Sequence, residues 1–550
     1  MKNITNRMWR PSIVGTALIL SVPILTIVFS VFEPPGENWQ HLKDTVLPEY
    51  LGNSLLLTFG VGAGTLLIGV STAWLTAMCR FPGKSLFVWL LLLPMAMPAY
   101  IVAYTYTGMF DFAGPVQTTI RDWTGWRYQE YYFPQIRSMG GAISMLSLVL
   151  YPYVYLLGRS TFLEQSVGVM EVSRTLDCGP WTVFYRVALP LARPALVTGL
   201  SLALMETLAD YGTVAYFGLG VFTTGIFRTW FGLGDYTSAA KLAALLMLFV
   251  FALIIMERFS RNKAQYHNSS GKLTRFSEYR LQGFKAWGAF AICAIPIFLG
   301  FFLPAAQLSL WAFETWSDMV DESFFELIRN SFLLGFGAAL ISVILALFLG
   351  YGKRMLPGKT TILSVRTASI GYAIPGTVIA VGVIIPFAWL DGRIDAFMQS
   401  SFGISSGLIL SGTIVAVMFA YVVRFLAISL QTVESGLEKI KPSMDDAARS
   451  LGCLPRETLF KIHIPLMKSS TLTALMIVFV DVMKELPATL ILRPFDFNTL
   501  AVRAFELASD ERLADSSTAA LTIVIVGLLP VIYLSKTISH SRLDQGNTEI

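Results

Sequence analysis

The chain is dominated by long apolar segments that alternate with short polar ones. Each apolar segment has about 20 residues, the length that an α-helix needs to cross roughly 30 Å of hydrocarbon. We therefore predict an all-α, polytopic membrane protein with about twelve membrane-spanning helices. The predicted spans are 12–32, 50–78, 86–110, 140–158, 196–218, 238–257, 287–311, 326–351, 364–390, 405–430, 471–492 and 516–536.

Composition supports a bilayer rather than water as the solvent. Of the 550 residues 54% are hydrophobic and only 14% are charged, and the mean hydropathy is +0.61. So few polar residues cannot cover the surface of several soluble domains. The first span follows Lys2, Arg7 and Arg10, contains Pro23 and lacks a small-residue cleavage pattern. We expect it to stay as a helix rather than to be removed as a signal peptide.

The distribution of lysine and arginine predicts the orientation. Placing the N-terminus in the cytoplasm puts roughly 29 of the 41 basic residues on that side and about 10 on the other. Both termini are therefore expected in the cytoplasm. The densest basic run, 258–285, is interpreted as a linker and topology signal, and the net charge of +5 gives no reason to expect a nucleic-acid partner. The four cysteines lack CxxC spacing and the four histidines are far apart, so neither a disulfide nor a metal centre is indicated.

The chain aligns with itself at an offset of about 275 residues. Residues 51–57 match 328–334, and the turn 81–84 matches 356–359. About six helices separate equivalent segments, so both copies have the same orientation and form a parallel repeat. A transport path between the halves is the natural inference, and a duplicated scaffold is the alternative.

The repeat divides the chain into two predicted domains and three connecting parts. We expect these to be an N-terminal tail, first helix and loop, a first transmembrane domain, a basic linker with the seventh helix, a second transmembrane domain, and a C-terminal tail. Their ranges are 1–47, 48–258, 259–325, 326–536 and 537–550.

Two short basic turns contain Gly-Lys-Ser and Gly-Lys-Thr but do not form phosphate-binding loops. Such a loop needs another glycine five residues earlier, and Met78 and Lys353 occupy those positions. We expect no nucleotide or other cofactor on this chain, so that any ATP and Mg²⁺ would bind to partner subunits.

A polar stretch between the fourth and fifth spans has a counterpart in the second half. The first runs from Glu171 to Pro190 and the second from Asp446 to Pro465. Each is interpreted as a short helix, a turn and a second short helix ended by proline, with apolar positions at helical spacing that can fill a groove.

These stretches resemble the EAA loop of ATP-binding-cassette importer permeases. The second copy keeps the family's acidic-Ala-Ala and glycine positions and has Ile-His-Ile-Pro where the family has Ile-x-Leu-Pro. The first copy has Val172, Ser173 and Asp177 where the family has alanine, alanine and glycine. The resemblance implies that each loop docks on one of two copies of an ATPase subunit. An amphipathic surface loop is the alternative. The residues implied in docking are Glu171, Asp177, Gly179, Pro190, Asp446, Ala447, Ala448, Gly452 and Pro465.

Acidic residues follow each loop at matched positions within the next span. They are Glu206 and Asp210 in the first half, and Asp481 and Glu485, beside Lys484, in the second. Glu206 would lie roughly 18 Å along the helix from Pro194, near mid-membrane, where a charge must face an interior, a partner or water. Four carboxylates on a central path suit a hard metal cation. Neutralisation of these groups as structural or gating contacts is the alternative.

The segments 206–214, 225–235 and 484–494 resemble those of the fused two-domain permeases of bacterial ferric iron importers. The resemblance covers essentially the whole chain. It implies a type I ABC importer (MetI-like) fold in the bacterial inner membrane, a periplasmic iron-binding protein as partner, and alternating access. Thiamine and phosphonate permeases have the same layout, so those cargoes stay open. An ion-gradient secondary transporter and a membrane scaffold or receptor are further alternatives.

The two halves differ at positions that matter for these interpretations. Asp177 lies opposite Gly452, and Ala209 lies opposite Lys484. We therefore predict that the two sides of the path are not equivalent, and that iron uptake depends on Asp210 or Glu485.

Overall fold

The computed structural model describes residues 2–127, 130–164, 179–262 and 278–543, and within these ranges the chain is almost entirely helical. The helices up to the linker are α1 Lys2–Ser30, α2 Trp39–Thr45, α3 Leu47–Met78, α4 Lys84–Leu90, α5 Ala99–Phe110, α6 Pro115–Thr124, α7 Met139–Glu164, α8 Pro180–Val183, α9 Leu189–Ala209, α10 Gly212–Tyr216, α11 Phe222–Phe227 and α12 Tyr236–Asn262. Those after it are α13 Phe284–Ile297, α14 Leu303–Met319, α15 Glu322–Met355, α16 Lys359–Ala368, α17 Gly376–Phe402, α18 Ile414–Glu438, α19 Pro442–Ser450, α20 Pro455–Thr458, α21 Ile464–Leu466, α22 Lys468–Met483, α23 Pro487–Leu492, α24 Leu500–Ser509 and α25 Leu513–Leu543. Strand β1, Cys79–Arg80, pairs in parallel with β2, Tyr279–Arg280.

The number of membrane spans agrees with the prediction of about twelve. In the described ranges ten helices are long and apolar enough to cross a bilayer, and up to twelve if two bent pairs each count as one span. One bent pair, 84–96 with 99–124, turns by 89°. The other, 455–466 with 468–483, turns by 79°. The predicted span 86–110 is therefore not a straight helix, and the predicted span 471–492 is interrupted between the end of α22 at Met483 and the start of α23 at Pro487.

Three further predicted spans had wrong boundaries. The span predicted as 364–390 runs from Gly376 to Phe402, because α16 ends at Ala368 and a new helix begins after Pro375. The span predicted to begin at residue 405 begins at Ile414, because Gly407 and Gly412 in the preceding apolar loop have left-handed backbones. The span predicted as 196–218 runs from Trp181 to Ala209.

Proline does not end the helix after the first polar stretch, contrary to our prediction. A π turn at 184–188 joins α8 to α9, and Pro190 lies in the continuous helix that follows. Among the described residues, π turns at 298–302 and 459–463 likewise end two residues before a proline, Pro304 and Pro465. Proline has no N–H to donate and its ring crowds the preceding turn, so a wider turn accommodates it without a break.

The two halves are built alike. In the first, α3, α7 and α9 pack against one another. In the second, α15, α18 and α22 pack in the same way. Two large clusters of buried apolar side chains result, each spanning residues of both halves. The repeat detected in the sequence is therefore a repeat of three packed helices.

The connecting helices cross between the halves. Helix α1 packs on α16 and α17 of the second half, whereas α13 packs on α3 and α4 of the first. At the first crossing, Gly382 of α17 lies so close to α1 that a Cβ would overlap the carbonyl oxygen of Pro23. Each half is therefore completed by a helix from outside its own repeat.

This close approach predicts the effect of adding one methyl group. Gly382→Ala should lower the melting temperature of the purified protein in detergent by several degrees, because backbone rather than a flexible side chain fills the space. Gly392→Ala is the matched control, since it lies in the same helix and its Cβ meets nothing within 4 Å. Equal melting temperatures for the two variants would contradict the proposed close crossing.

Candidate functional site

A cavity of about 130 Å³ lies where the two halves meet. The first half contributes residues of α5, α7, α9 and the segment that follows α9, and the second contributes residues of α18, α22 and the segment that follows α22. The lining includes every residue that the sequence analysis placed on a path: Glu206, Asp210, Asp481, Lys484 and Glu485. The structure thus brings the four carboxylates together.

Asp210 lies in the break between α9 and α10 and caps the start of α10. Its carboxylate accepts hydrogen bonds from the backbone N–H groups of Thr213 and Val214, at 3.1 and 3.2 Å, and from the Thr213 hydroxyl at 3.0 Å. The first N–H groups of a helix have no partner within the helix, and a carboxylate at this position supplies one. Asp210 therefore stabilises the restart of the helix.

Glu485 does the same between α22 and α23. It accepts from the backbone N–H groups of Ala488 and Thr489, at 3.1 and 3.2 Å, and from the Thr489 hydroxyl at 2.9 Å. Because Glu485 lies 275 residues after Asp210, the repeat has preserved one carboxylate at one break in each half. Both groups thus have a structural role, in agreement with the alternative that the sequence left open.

The other two carboxylates lie one turn earlier and have side-chain partners. Glu206 accepts a hydrogen bond of 3.4 Å from the hydroxyl of Tyr372, and Asp481 forms an ion pair of 2.8 Å with Lys484. Glu206 and Asp481 are also repeat equivalents. They place one carboxylate from each half on the wall of the cavity.

Both positive charges in the cavity come from the second half. Arg424 of α18 pairs with Glu485 at 2.8 Å, and the two side chains are only 10% and 2% exposed. Lys484 and Asp481 are more open, at 29% and 18%. At an offset of 275 the first half has Val149 and Ala209 in place of the two cations. The predicted difference between the two sides at Lys484 thus extends to Arg424.

The Arg424–Glu485 pair depends on a glycine of a third helix. A Cβ at Gly376, the first residue of α17, would overlap Nη1 of Arg424 and lie 2.7 Å from Oε1 of Glu485. The ion pair therefore packs directly on the backbone of α17.

The sequence analysis missed several polar residues of the cavity. Arg424 was overlooked because it lies alone inside an apolar span, although an isolated charge in such a span is a signal. Tyr100, Tyr153 and Tyr372 also line the cavity, and the buried hydroxyl of Tyr100 has no hydrogen-bond partner. No group of three or more His, Cys, Asp and Glu residues within the described ranges is arranged to hold a metal ion.

The second polar loop has the predicted helix, turn and helix. Asp446, Ala447 and Ala448 lie on α19, where Asp446 is exposed and Ala448 is buried. Gly452 forms the turn with a left-handed backbone, φ +80°, and open space around it. Pro465 lies in α21, one residue before that helix ends.

The preceding acidic residue, Asp445, attaches this loop to the bundle. Its carboxylate lies 2.8 Å from Nε of Arg354 and 2.6 Å from Nε2 of His463. Arg354, near the end of α15, also donates to the backbone carbonyls of Leu437 and Ile440 at the end of α18. The loop is thus fixed to α15 and α18 together.

For the first loop, Glu171 and Asp177 lie outside the described residues. Gly179 is the first described residue after them and is exposed, and Pro190 lies in α9.

An ion pair between Arg137 and Glu511 connects the two halves near the beginnings of α7 and α25. Nη2 of Arg137 lies 2.9 and 2.8 Å from the two carboxylate oxygens of Glu511, and 3.1 Å from the Tyr216 hydroxyl at the end of α10. Glu511 has φ +62°, and Gly234 has φ +64° at the equivalent place two residues before α12. The second half therefore tolerates a strained backbone where the first uses glycine.

Comparison with known proteins gives one family and several relatives. The profile of the family described as "Binding-protein-dependent transport system inner membrane component" matches residues 65–265 and 338–545. The Fe(3+)-transport system permease protein FbpB 2 of Haemophilus influenzae is 26% identical over 496 residues, covering 89% of this chain and 90% of that protein. The ferric transport system permease protein FbpB of Actinobacillus pleuropneumoniae is 22% identical, covering 96% and 77%. The molybdenum transport system permease protein ModB of Escherichia coli is 29% identical but covers only 28% and 64%.

The different burial of the two ion pairs predicts different costs of removing their cations. Arg424→Met should lower the free energy of unfolding in detergent by about 3 kcal/mol, because Glu485 would stay buried without its cation. Lys484→Met should cost less than Arg424→Met, because the Lys484 and Asp481 side chains are more exposed to the cavity, at 29% and 18%. Adding Glu485→Gln to Arg424→Met should recover part of the loss. Equal losses for the two single variants would contradict this assignment.

Proposed function

The chain belongs to the family of binding-protein-dependent transport system inner membrane components, and on that premise we propose that it forms the whole translocation pathway of an ATP-driven ferric iron importer. It is a multi-pass permease subunit of the ABC class, a transporter rather than an enzyme. The observation that carries the proposal is the cavity between the halves, to which each half contributes two carboxylates at equivalent positions.

Two observations favour ferric iron as the cargo. The relatives named for ferric transport align over most of the chain, whereas those named for molybdenum or 2-aminoethylphosphonate cover half of it or less. The cavity also has four carboxylates and two basic side chains, a balance that suits a cation rather than an oxyanion. Thiamine and phosphonate are the alternative cargoes that the uptake assay below tests.

We place two copies of an ABC ATPase subunit, with its ATP and Mg²⁺, at the loop of α19 to α21 and at its counterpart before α8. The exposed turn at Gly452 leaves room for another surface. A periplasmic iron-binding protein would deliver the cargo to the other side. This arrangement places the chain in the bacterial inner membrane with both termini in the cytoplasm.

Contacts within the second half provide a route from that loop to the cavity. Asp445 fixes the loop to the end of α18 through Arg354, and α18 carries Arg424, which pairs with Glu485 at the helix break. A displacement of the loop would therefore move a helix that contacts the cavity directly. Closing of the ATPases around ATP would thus change the cavity, as alternating access requires.

Reconstitution tests the function and the docking loop together. With an ATPase and a binding protein in proteoliposomes, the chain should accumulate radiolabelled ferric iron on addition of ATP, and not molybdate, 2-aminoethylphosphonate or thiamine. Gly452→Trp should abolish ATPase co-purification and reduce uptake at least about tenfold, because a bulky side chain fills the docking turn.

Gly403→Trp is the control, since Gly403 also has a left-handed backbone, φ +69°, and open surroundings, but terminates α17 far along the chain from the loop. Uptake that survives Gly452→Trp would refute the docking role of this turn, and a chain that also purifies without any ATPase would refute the importer assignment.

We propose that the Arg137–Glu511 ion pair stabilises a closed state of the permease, because it links the beginnings of α7 and α25. Glu511→Gly removes the carboxylate and also relieves the left-handed strain, so folding should be preserved. The ATPase activity of the complex without cargo should then rise about fivefold, because one contact that favours the closed state is lost.

Arg137→Gln should have the same effect. Arg512→Gln, which breaks only the neighbouring pair with Asp515 near the start of α25, should not. A basal ATPase rate unchanged in both Glu511→Gly and Arg137→Gln would remove the gating role.

A further inference from the structure

We propose that Lys484 is a displaceable counter-ion: its ammonium group neutralises Asp481 in the closed cavity and gives way to the transported cation. The inference rests on the proposed function, since it requires a cationic cargo. Some charged groups of the cavity then stabilise the structure and others take part in transport, a distinction that the sequence analysis did not make.

The charged groups of the cavity fall into a structural and an available set. Asp210 and Glu485 are occupied by backbone N–H groups, and Arg424 braces Glu485 in the most buried ion pair of the cavity. Displacing any of these would leave helix ends or a buried charge without a partner. Glu206, Asp481 and Lys484 have only side-chain contacts given above, and the Lys484–Asp481 pair is the more exposed of the two pairs.

The available oxygen atoms suit a hard trivalent cation. Glu206 and Asp481 occupy equivalent positions in the two halves, and both line the cavity. The Tyr372 hydroxyl is bonded to Glu206, and the Tyr100 hydroxyl, on a residue only 5% exposed, has no partner. Carboxylate and other oxygen ligands are those that hard cations prefer.

A fixed ring of carboxylates would bind such a cation too tightly to release it. Conduction requires that a site attract the ion and yet let it leave. The ammonium of Lys484, three residues after Asp481, competes with the cargo for the Asp481 carboxylate. It pairs with Asp481 again when the ion departs. Lys484 also neutralises part of the negative charge that the empty cavity would otherwise carry in a medium of low polarity.

The opposite role for Lys484 would be to bind an anion. Arg424 is already engaged by Glu485, and Lys484 by Asp481, so neither positive charge is free of a carboxylate within the cavity. An anion would have to displace a carboxylate that cannot leave its helix. The arrangement therefore favours Lys484 as a competitor of a cation.

The test measures binding and transport by the full importer in proteoliposomes. Ga³⁺, supplied as its citrate complex, is the probe for equilibrium binding, because it resembles ferric iron and is not reduced. Lys484→Gln should bind Ga³⁺ at least about tenfold more tightly than wild type, since a like charge has been removed from the site. Its ATP-driven uptake of radiolabelled ferric iron should be slower. Asp481→Asn added to Lys484→Gln should abolish the extra binding.

Lys285→Gln, which removes an exposed lysine at the start of α13, is the matched control and should behave as wild type. Lys484→Ala gives the second half the residue of the first and serves as the second variant if the glutamine variant does not assemble. Ga³⁺ binding that is unchanged in the assembled variant overturns the inference, even where wild type imports iron. Wild type that imports an oxyanion instead, with uptake weakened by Lys484→Gln, overturns the proposed function as well.

Discussion

A helix that restarts inside a bilayer begins with backbone N–H groups that water cannot satisfy. In this protein the problem arises twice, after α9 and after α22, and one carboxylate solves it at each place. Asp210 and Glu485 make the interruptions stable, and the interruptions open the space between the halves. Both capped breaks line the cavity, together with the carboxylates one turn before each of them.

The two breaks are alike in backbone but not in charge. Only the second is surrounded by cations, Arg424 on α18 and Lys484 beside the cap. Arg424 connects the break to the helix that holds the exposed loop, so the half with positive charges is also the half whose loop is visibly tied to the cavity. The fold has two similar halves, but the described contacts connect a loop to the cavity in the second half. A displacement of that loop would move the second half's wall of the cavity, while the first half contributes carboxylate oxygen atoms.

Much of this architecture was predictable because bilayer length and repetition impose strong patterns. The number of spans, the parallel repeat and the paired carboxylates came from hydropathy and internal repetition, and the glycine at 452 came from the resemblance of its loop to the EAA loop. The sequence could not show that Asp445 would bind Arg354 and His463, because contacts between distant segments leave no local pattern. Pro190 misled us, since a π turn lets a helix continue past proline. The apolar loop before Ile414 looked like membrane helix because hydropathy ignores the backbone freedom of glycine.

The exchange of helices between halves has a consequence for synthesis. Helix α1 leaves the ribosome well before α17, on which it packs and which follows roughly 350 residues later. At about 5–20 residues per second, α1 must wait roughly 20 to 70 seconds for its partner. During that time lipid or the insertion machinery has to cover the surface of α1, so the second half of the permease cannot be completed until most of the chain has been made.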